Sequence, residues 1–366
     1  MAAVAVEFFV PGRLCLFGEH SDWAGAWRSR APEIHPGHCL VAGTDAGIRS
    51  EAEPADRFEL EARFRDPAVP PVRATISREA LPAVAASEAF ASYAAATLLE
   101  LVESRGIPGL RLATEADLPV NRGLSSSAAI CVSVARAASR VYGLGLSVEE
   151  EMEVAWRGER RAGSPCGRMD QVCALGRRTS LLRFDGEGME VEEVACGGPF
   201  FLLLVDLCAG KDTRRILADL QACFPDAPGP VAAAVRRALG PAGELLVRAA
   251  RAALAEGDAP ALGRLMNEAQ ALFDRDVAPA CPELEAPQLH RVLAHPAVRE
   301  LAHGGKGVGS QGDGCAQIVA RGPEERDELA RRLERDLGVR CMPVTLEARG
   351  SAPPAQASGC GAQPEA

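Results

Sequence analysis

A glycine, a leucine, three consecutive serines and two alanines, Gly123 to Ala129, run directly into an apolar helical stretch that ends at about Val141. No other stretch constrains the chain as strongly. A glycine that frees the backbone, hydroxyls at the turn and then a helix leave several N–H groups converging at one point, where the helix macrodipole favours negative charge. Hydroxyls at the same point can ligate a magnesium ion that bridges phosphates. A serine-capped helix is the plainer reading of these residues, but the lead-in Pro119-Val-Asn-Arg-Gly-Leu is a rare one. The stretch is not a mononucleotide P-loop, because no Gly-Lys-Ser or Gly-Lys-Thr occurs.

The rest of the composition limits what such an anion site can serve. The 366 residues carry 40 Lys and Arg against 50 Asp and Glu, a formal net charge of −10. A broad basic footprint for nucleic acid or a membrane surface is therefore not expected, and an anionic ligand needs a local site. Only Lys211 and Lys306 are lysine. Twelve cysteines lack a Cys-x-x-Cys pair and six histidines show no finger spacing, so reduced thiols and no zinc site are expected. The longest apolar run, Val194 to Val205, falls well short of the roughly 20 residues of a bilayer span. These features predict a cytoplasmic protein, monomeric or homodimeric, of two domains or one large one.

Periodicity predicts strands at Val4–Val10, Arg13–Phe17 and Phe58–Phe64, then helices over Ser87–Arg105 and Ser125–Tyr142. Ser147 followed by Glu150 is a capping signature for a helix to about Arg161, and Thr179–Phe184 reads as a strand. Phe200–Leu207 is a continuous apolar run that opens a second half as a buried strand. Helices are predicted over Arg214–Cys223, Val231–Glu256, Ala261–Phe273 and Glu324–Leu337, with strands at Gln317–Ala320 and Val339–Glu347. The last residues, Gly350–Ala366, are too poor in apolar groups to order themselves.

Three further clusters carry chemistry. In Val10-Pro-Gly-Arg-Leu-Cys-Leu-Phe-Gly-Glu-His-Ser-Asp-Trp23, a Pro-Gly turn precedes Arg13, and Glu19, His20 and Asp22 gather around Gly18. Two carboxylates and an imidazole on one short loop suit polyol hydroxyls, or form a polar surface turn. In Gly158-Glu-Arg-Arg-Ala-Gly-Ser-Pro-Cys-Gly-Arg-Met-Asp-Gln171, Pro165 between Gly163 and Gly167 forces an irregular loop from which Asp170 emerges. In Lys306-Gly-Val-Gly-Ser-Gln-Gly-Asp-Gly314, glycines allow close backbone approach to a ligand. Asp313 beside a phosphate would be unfavourable, so it either contacts a substrate hydroxyl or caps a turn. Lys306 is either a phosphate contact or a solvated loop lysine. Asp206 and Lys211, where a buried strand ends, either face a cleft or are surface charges around a capped helix.

Together the Pro11–Trp23, Gly123–Ala129 and Lys306–Gly314 motifs, in this order along nearly the whole chain, resemble the GHMP kinases, the family of galactokinase, homoserine kinase and mevalonate kinase. Gly-Glu-His-x-Asp and Pro-Cys-Gly-x-Met-Asp-Gln look like the galactokinase forms, whereas Leu-Phe-Gly-Glu-His and the placement of Glu159 also resemble mevalonate kinase. Trp23 departs from the tyrosine usual in galactokinases, and Ser310, Gln311 and Asp313 depart from the family's third motif.

The resemblance implies an α+β fold of two lobes: an N-terminal ribosomal-protein-like β/α domain over 1–190 and a C-terminal ferredoxin-like domain over 195–350, followed by a disordered tail, 351–366. It implies ATP and Mg²⁺ as cofactors and phosphorylation of a small alcohol, most readily a monosaccharide at its anomeric hydroxyl. By the same resemblance Gly123, Leu124, Ser125, Ser126, Ser127, Ala128 and Lys306 bind the nucleotide, and Glu159 with Ser126 or Ser127 holds the metal. Glu19, His20, Asp22, Gly167, Asp170, Gly309 and Asp313 face the substrate. Asp170 acts as base or charge stabiliser, with Arg13 beside it keeping it ionised. A mevalonate kinase-like enzyme and a catalytically silent regulator that binds sugar and ATP are the alternatives.

Overall fold

The first strand, β1 (Val6–Phe17), runs through the Pro11-Gly12 pair that the sequence suggests as a turn between two strands. It pairs antiparallel with β2 (Gly37–Glu53), and the register slips between Pro11 and Arg13, where proline offers no N–H to the ladder. The computed structural model describes residues 5–65, 69–87, 89–118 and 124–348. Gly123 and the tail 351–366 lie outside these described residues.

Five more strands complete the first sheet: β3 (Phe58–Phe64), β4 (Val72–Ile76), β5 (Leu110–Ala116), β6 (Thr179–Asp185) and β7 (Gly188–Glu193). Their order is β4-β3-β5-β2-β6-β7, with β1 on the other edge of β2. The long β2 spends Ile48–Glu53 on β5 and Gly37–Ala42 on β6. Periodicity misses it, because Gly37, Gly43, Asp45 and Gly47 interrupt the strand composition. Three helices, Ser92–Arg105, Ser126–Tyr142 and Val148–Arg161, pack on one another beside this sheet. The middle one is buried along nearly its whole length, which accounts for its small residues, and its Arg136 is neutralised by Glu151 at 2.7 Å. Ser147 and Glu150 form the reciprocal cap expected from the sequence, with bonds of 3.2 and 2.9 Å.

The second sheet consists of β8 (Phe200–Asp206), β9 (Ala302–Gly307), β10 (Cys315–Ala320) and β11 (Arg340–Leu346), all antiparallel in the order β11-β8-β10-β9. With helices between β8 and β9 and the helix Pro323–Leu337 between β10 and β11, this is the βαββαβ arrangement of a ferredoxin-like lobe. Strand β8 reads as an unbroken apolar run because both its faces are covered. Leu202 and Leu204 join the core shared with the first sheet, while Leu203 and Val205 pack with Leu329 and Leu333 of the last helix.

Two helix expectations shift. The helix predicted from Ser87 begins at Ser92. The one predicted over Val231–Glu256 is broken into Pro230–Arg237, a π turn Ala238–Ala242 and Gly243–Glu256. Pro241 cannot donate to the preceding turn, and Gly240 takes up the kink at φ −109°, ψ −114°. Among the described residues no helix is long and apolar enough to cross a membrane. Their cysteines are all free thiols.

Candidate active site

A cleft of about 740 Å³ opens between the two sheets' lobes. The first lobe supplies the turn after β1, the start of the helix Ser126–Tyr142 and the irregular loop up to Asp170. From the second lobe come the segment after β8 and the loop joining β9 to β10.

The turn after β1 depends on Gly18, whose φ of +88° and overlap with the His38 carbonyl leave no space for a side chain. Past this turn the short helix Ser21–Ala26 is pinned by the Ser21 hydroxyl, which donates to Gly18 O at 2.7 Å and His38 O at 2.8 Å. Glu19, His20 and Asp22 are consequently buried yet line the cleft. His20 Nδ1 accepts the Trp23 indole N–H at 3.1 Å, so in the neutral ring Nε2 bears the proton. That Nε2 is buried with no hydrogen-bond partner among the described residues. Burial lowers the His20 pKa to about 4, helped by the positive charges of Lys211 and Lys306. Burial likewise raises the Asp22 carboxyl above its ordinary range. Asp22 Oδ2 accepts the Met169 N–H at 3.3 Å, which ties this turn to the loop that carries Asp170.

Ser125 precedes its helix in the left-handed region, φ 56°, and its side chain makes no cap bond. Ser125, Ser126 and Ser127 line the cleft, and no side-chain cap from Ser125 occupies the N–H groups of the first turn. Leu124 O accepts the Arg13 N–H at 3.1 Å, fixing this loop to β1, while Leu124 and Ala128 are buried behind the lining. Glu159, on the helix Val148–Arg161, accepts from Ser127 Oγ at 2.7 Å and from Gln171 Nε2 at 2.7 Å. Burial raises the Glu159 pKa, against those two hydrogen bonds. A carboxylate and two hydroxyls are hard oxygen donors at the end of an anion cradle, so the donor set fits Mg²⁺.

Arg13 is 4% exposed and forms an ion pair through Nη2 with Asp170 Oδ1. Its Nε and Nη1 are buried without partners among the described residues, two donors left over beside the cleft. Asp170 opens the 3₁₀ turn Asp170–Leu175 and is the more exposed partner, facing the same space as Glu19 and Asp22.

Two sequence expectations are corrected. Lys306 is neither a solvated loop lysine nor part of the cleft lining: on β9 it is 1% exposed, and its ammonium pairs with Glu19 Oε1 and donates to Gly307 O at 2.9 Å. A buried lysine requires such a carboxylate, and Glu19 is the one within reach. Asp313 is not in the cleft lining and takes the other role, as a cap. Its Oδ1 accepts the Gln288 and Leu289 N–H groups at 2.9 Å each, at the start of the helix Pro287–Leu293. Gly309 does line the cleft, as do Gly167 and Lys211, whose Nζ donates to Gln311 O at 2.8 Å. Asp206 is not in the lining; its Oδ1 accepts the Cys208 N–H at 2.9 Å.

Tyr93, Thr213, Arg214 and Ser310 join the lining without a sequence signal of their own. Thr213 and Ser310 hydroxyls lie 3.4 Å apart and link the two cleft segments of the second lobe. Gln171 is 1% exposed and holds Glu159 from below. Its place directly after Asp170 in the sequence is the only signal that could have marked it.

Comparison with known proteins places these features. Residues 90–177 match the family described as GHMP kinases N terminal domain. A galactokinase of Thermosipho africanus is 29% identical over 167 residues, 45% of this chain, and the chain spans about two fifths (41%) of that relative's length. A mevalonate kinase of Thermococcus sibiricus is 24% identical over 333 residues, covering 88% of this chain and 91% of the relative. The structure of Lactococcus lactis galactokinase complexed with galactose superimposes with a TM-score of 0.71 at 17% identity, over 94% of both chains. Residues 90–177 thus carry the match to the GHMP kinase N-terminal domain, and the chain is similar to both galactokinases and mevalonate kinases.

Proposed function

We propose that this protein transfers the γ-phosphoryl group of ATP to a hydroxyl of a small polyhydroxylated molecule, a monosaccharide at its anomeric position, in the cytoplasm. The observation that carries this reading is the convergence of Asp170, Asp22, Glu159 and the uncapped serine loop on one cleft. Two relatives with the names galactokinase and mevalonate kinase support it. In this reading the domains divide at 190–195, and the cleft lies at their junction.

The helix start at Ser125–Ser127 receives the phosphates through its backbone N–H groups. Glu159, Ser126 and Ser127 would hold Mg²⁺, which when bound neutralises charge on the phosphates. Asp170 accepts the proton of the attacking hydroxyl or orients it, while Arg13 keeps the carboxylate in place and turns spare N–H donors to the transferring group. Asp22 and the His20 Nε2–H bind further hydroxyls of the acceptor. Glu19, committed to Lys306, serves them with its remaining oxygen. Little covalent chemistry is asked of the protein; positioning and electrostatics supply the rate.

The mevalonate kinase reading is favoured by the relative that covers 88% of the chain. Asp22 speaks for the sugar, because a buried carboxylate at the acceptor side would repel an acceptor's own carboxylate. ADP release measured over a panel of sugars, uronic acids and mevalonate decides between them. Turnover with a neutral sugar is expected; turnover with mevalonate and no sugar overturns the proposal.

A further inference from the structure

Away from the cleft, His35, His38 and Glu244 bring two imidazoles and a carboxylate together, one ligand atom from each lying within 4.8 Å of the others. His35 precedes β2, His38 is its second residue, and Glu244 is on the first turn of the helix Gly243–Glu256, in the other lobe. His35 Nε2 is 3.1 Å from Glu244 Oε2, and His38 Nε2 is 3.7 Å from Glu244 Oε1. A four-coordinate ion with bonds of about 2.0–2.2 Å needs donors about 3.4 Å apart, between those two values.

The protons argue in the same direction. His35 Nδ1 lies 2.9 Å from Pro36 O, and a carbonyl only accepts, so Nδ1 carries the hydrogen. Nε2 is then the ring nitrogen turned to the Glu244 carboxylate. An Nδ1–H held by a backbone carbonyl is the orientation that metal-binding histidines adopt, and it leaves Nε2 to face the shared centre. The fold supplies the third ligand through the broken helix. At the π turn, Gly240 approaches His35 so closely that an added Cβ would stand 3.0 Å from the histidine's own, and the chain then restarts at Gly243 with Glu244 aimed at both rings. Arg248 Nε also reaches Glu244 Oε1, at 2.7 Å, on a side chain 70% exposed that can swing away.

We propose that His35, His38 and Glu244 form a zinc site, two imidazoles and a carboxylate with water in the fourth position, which fastens the start of β2 to the helix Gly243–Glu256. The sequence argues against zinc because it holds no Cys-x-x-Cys pair and no finger spacing of histidines, and the carboxylate used here is remote along the chain. The site lies one hydrogen bond from the acceptor turn, since the His38 carbonyl accepts from Ser21 Oγ. It is separate from the phosphoryl-transfer proposal and stands or falls without it.

Tag-free, full-length protein stripped with chelator and titrated with ZnCl₂ tests this by calorimetry and elemental analysis, with CoCl₂ as a spectroscopic probe. One zinc per chain is expected, with the intense visible absorption of four-coordinate cobalt and a rise in Tm of roughly 3–5 °C. Since even outer partners of metal ligands are worth 10–100-fold, His35→Ala, His38→Ala and the near-isosteric Glu244→Gln should each weaken zinc by at least about 100-fold. Arg248→Ala should retain it. Glu244→Gln decides the matter should a histidine variant fail to fold. Substoichiometric zinc, a pale six-coordinate cobalt spectrum, or affinity unchanged in Glu244→Gln overturns the proposal.

Discussion

Gly167 has no side chain because Asp22 occupies the place: a Cβ on Gly167 would overlap both Asp22 Oδ2 and its carboxyl carbon. The loop before Asp170 and the turn after β1 are thus fitted to each other through one absent methyl group. Gly167→Ala should displace the Asp22 carboxylate and lower kcat/KM for the acceptor on the order of 10- to 100-fold, while the ATP KM changes little. Initial rates of ADP release against acceptor concentration read this directly.

Lys306 and Glu19 form a buried pair between the lobes. Lys306→Met leaves the Glu19 carboxylate buried and unpaired and should destabilise the protein by about 3–5 kcal/mol. Adding Glu19→Gln should recover much of that loss. Urea unfolding of the two variants beside the wild type checks both statements.

His20 gives the stability a sign with pH. Burial holds its pKa at about 4, below the ordinary 6.5 of an imidazole. As pH falls from 6.5 toward 4 the unfolded chain takes up a proton that the folded chain refuses, so stability is lost in that window and is intact above it. The full difference is about 3 kcal/mol. Glu19, Asp22 and Glu159, whose pKa values burial raises, act in the opposite sense. His20 stands in the left-handed region at φ 67°, which asparagine tolerates, so His20→Asn isolates the histidine. Between pH 7 and pH 4.5 the wild type should lose more stability than this variant.

Glu159→Gln keeps the shape of the side chain that meets Ser127 and Gln171 but removes its charge. The Mg²⁺ concentration needed for half-maximal turnover should rise by about 10- to 100-fold, with partial rescue at high Mg²⁺. Titration of Mg²⁺ at saturating ATP measures it.

How far these sites could be read beforehand depended on whether local pattern or tertiary pairing set the answer. Arg13, Asp22, Ser125–Ser127, Glu159 and Asp170 stand in short motifs whose glycines and hydroxyls shape the backbone locally, and the fold brings them to one cleft. The contacts of Lys306 and Asp313 are not legible locally, because Glu19 is remote in sequence and the helix Pro287–Leu293 that Asp313 caps is separated from it by a further helix and β9. Strand β8 was visible as an apolar run, whereas β9, with Gly304, Gly305 and Gly307, has almost no strand composition and exists through its pairing with β10. Gly240 and Pro241 announced the break in the long helix, yet apolar period on both sides concealed it.

The most direct test of the central claim is acceptor-dependent ADP release by the wild type and by Asp170→Asn, with circular dichroism to show that both are folded. The wild type should phosphorylate a sugar, and Asp170→Asn should lose about 10²- to 10⁴-fold in kcat while still binding ATP. Equal turnover by the two proteins, or no acceptor-dependent turnover by the wild type with any alcohol of the panel, would contradict the assignment of Asp170 as the group that receives the substrate hydroxyl.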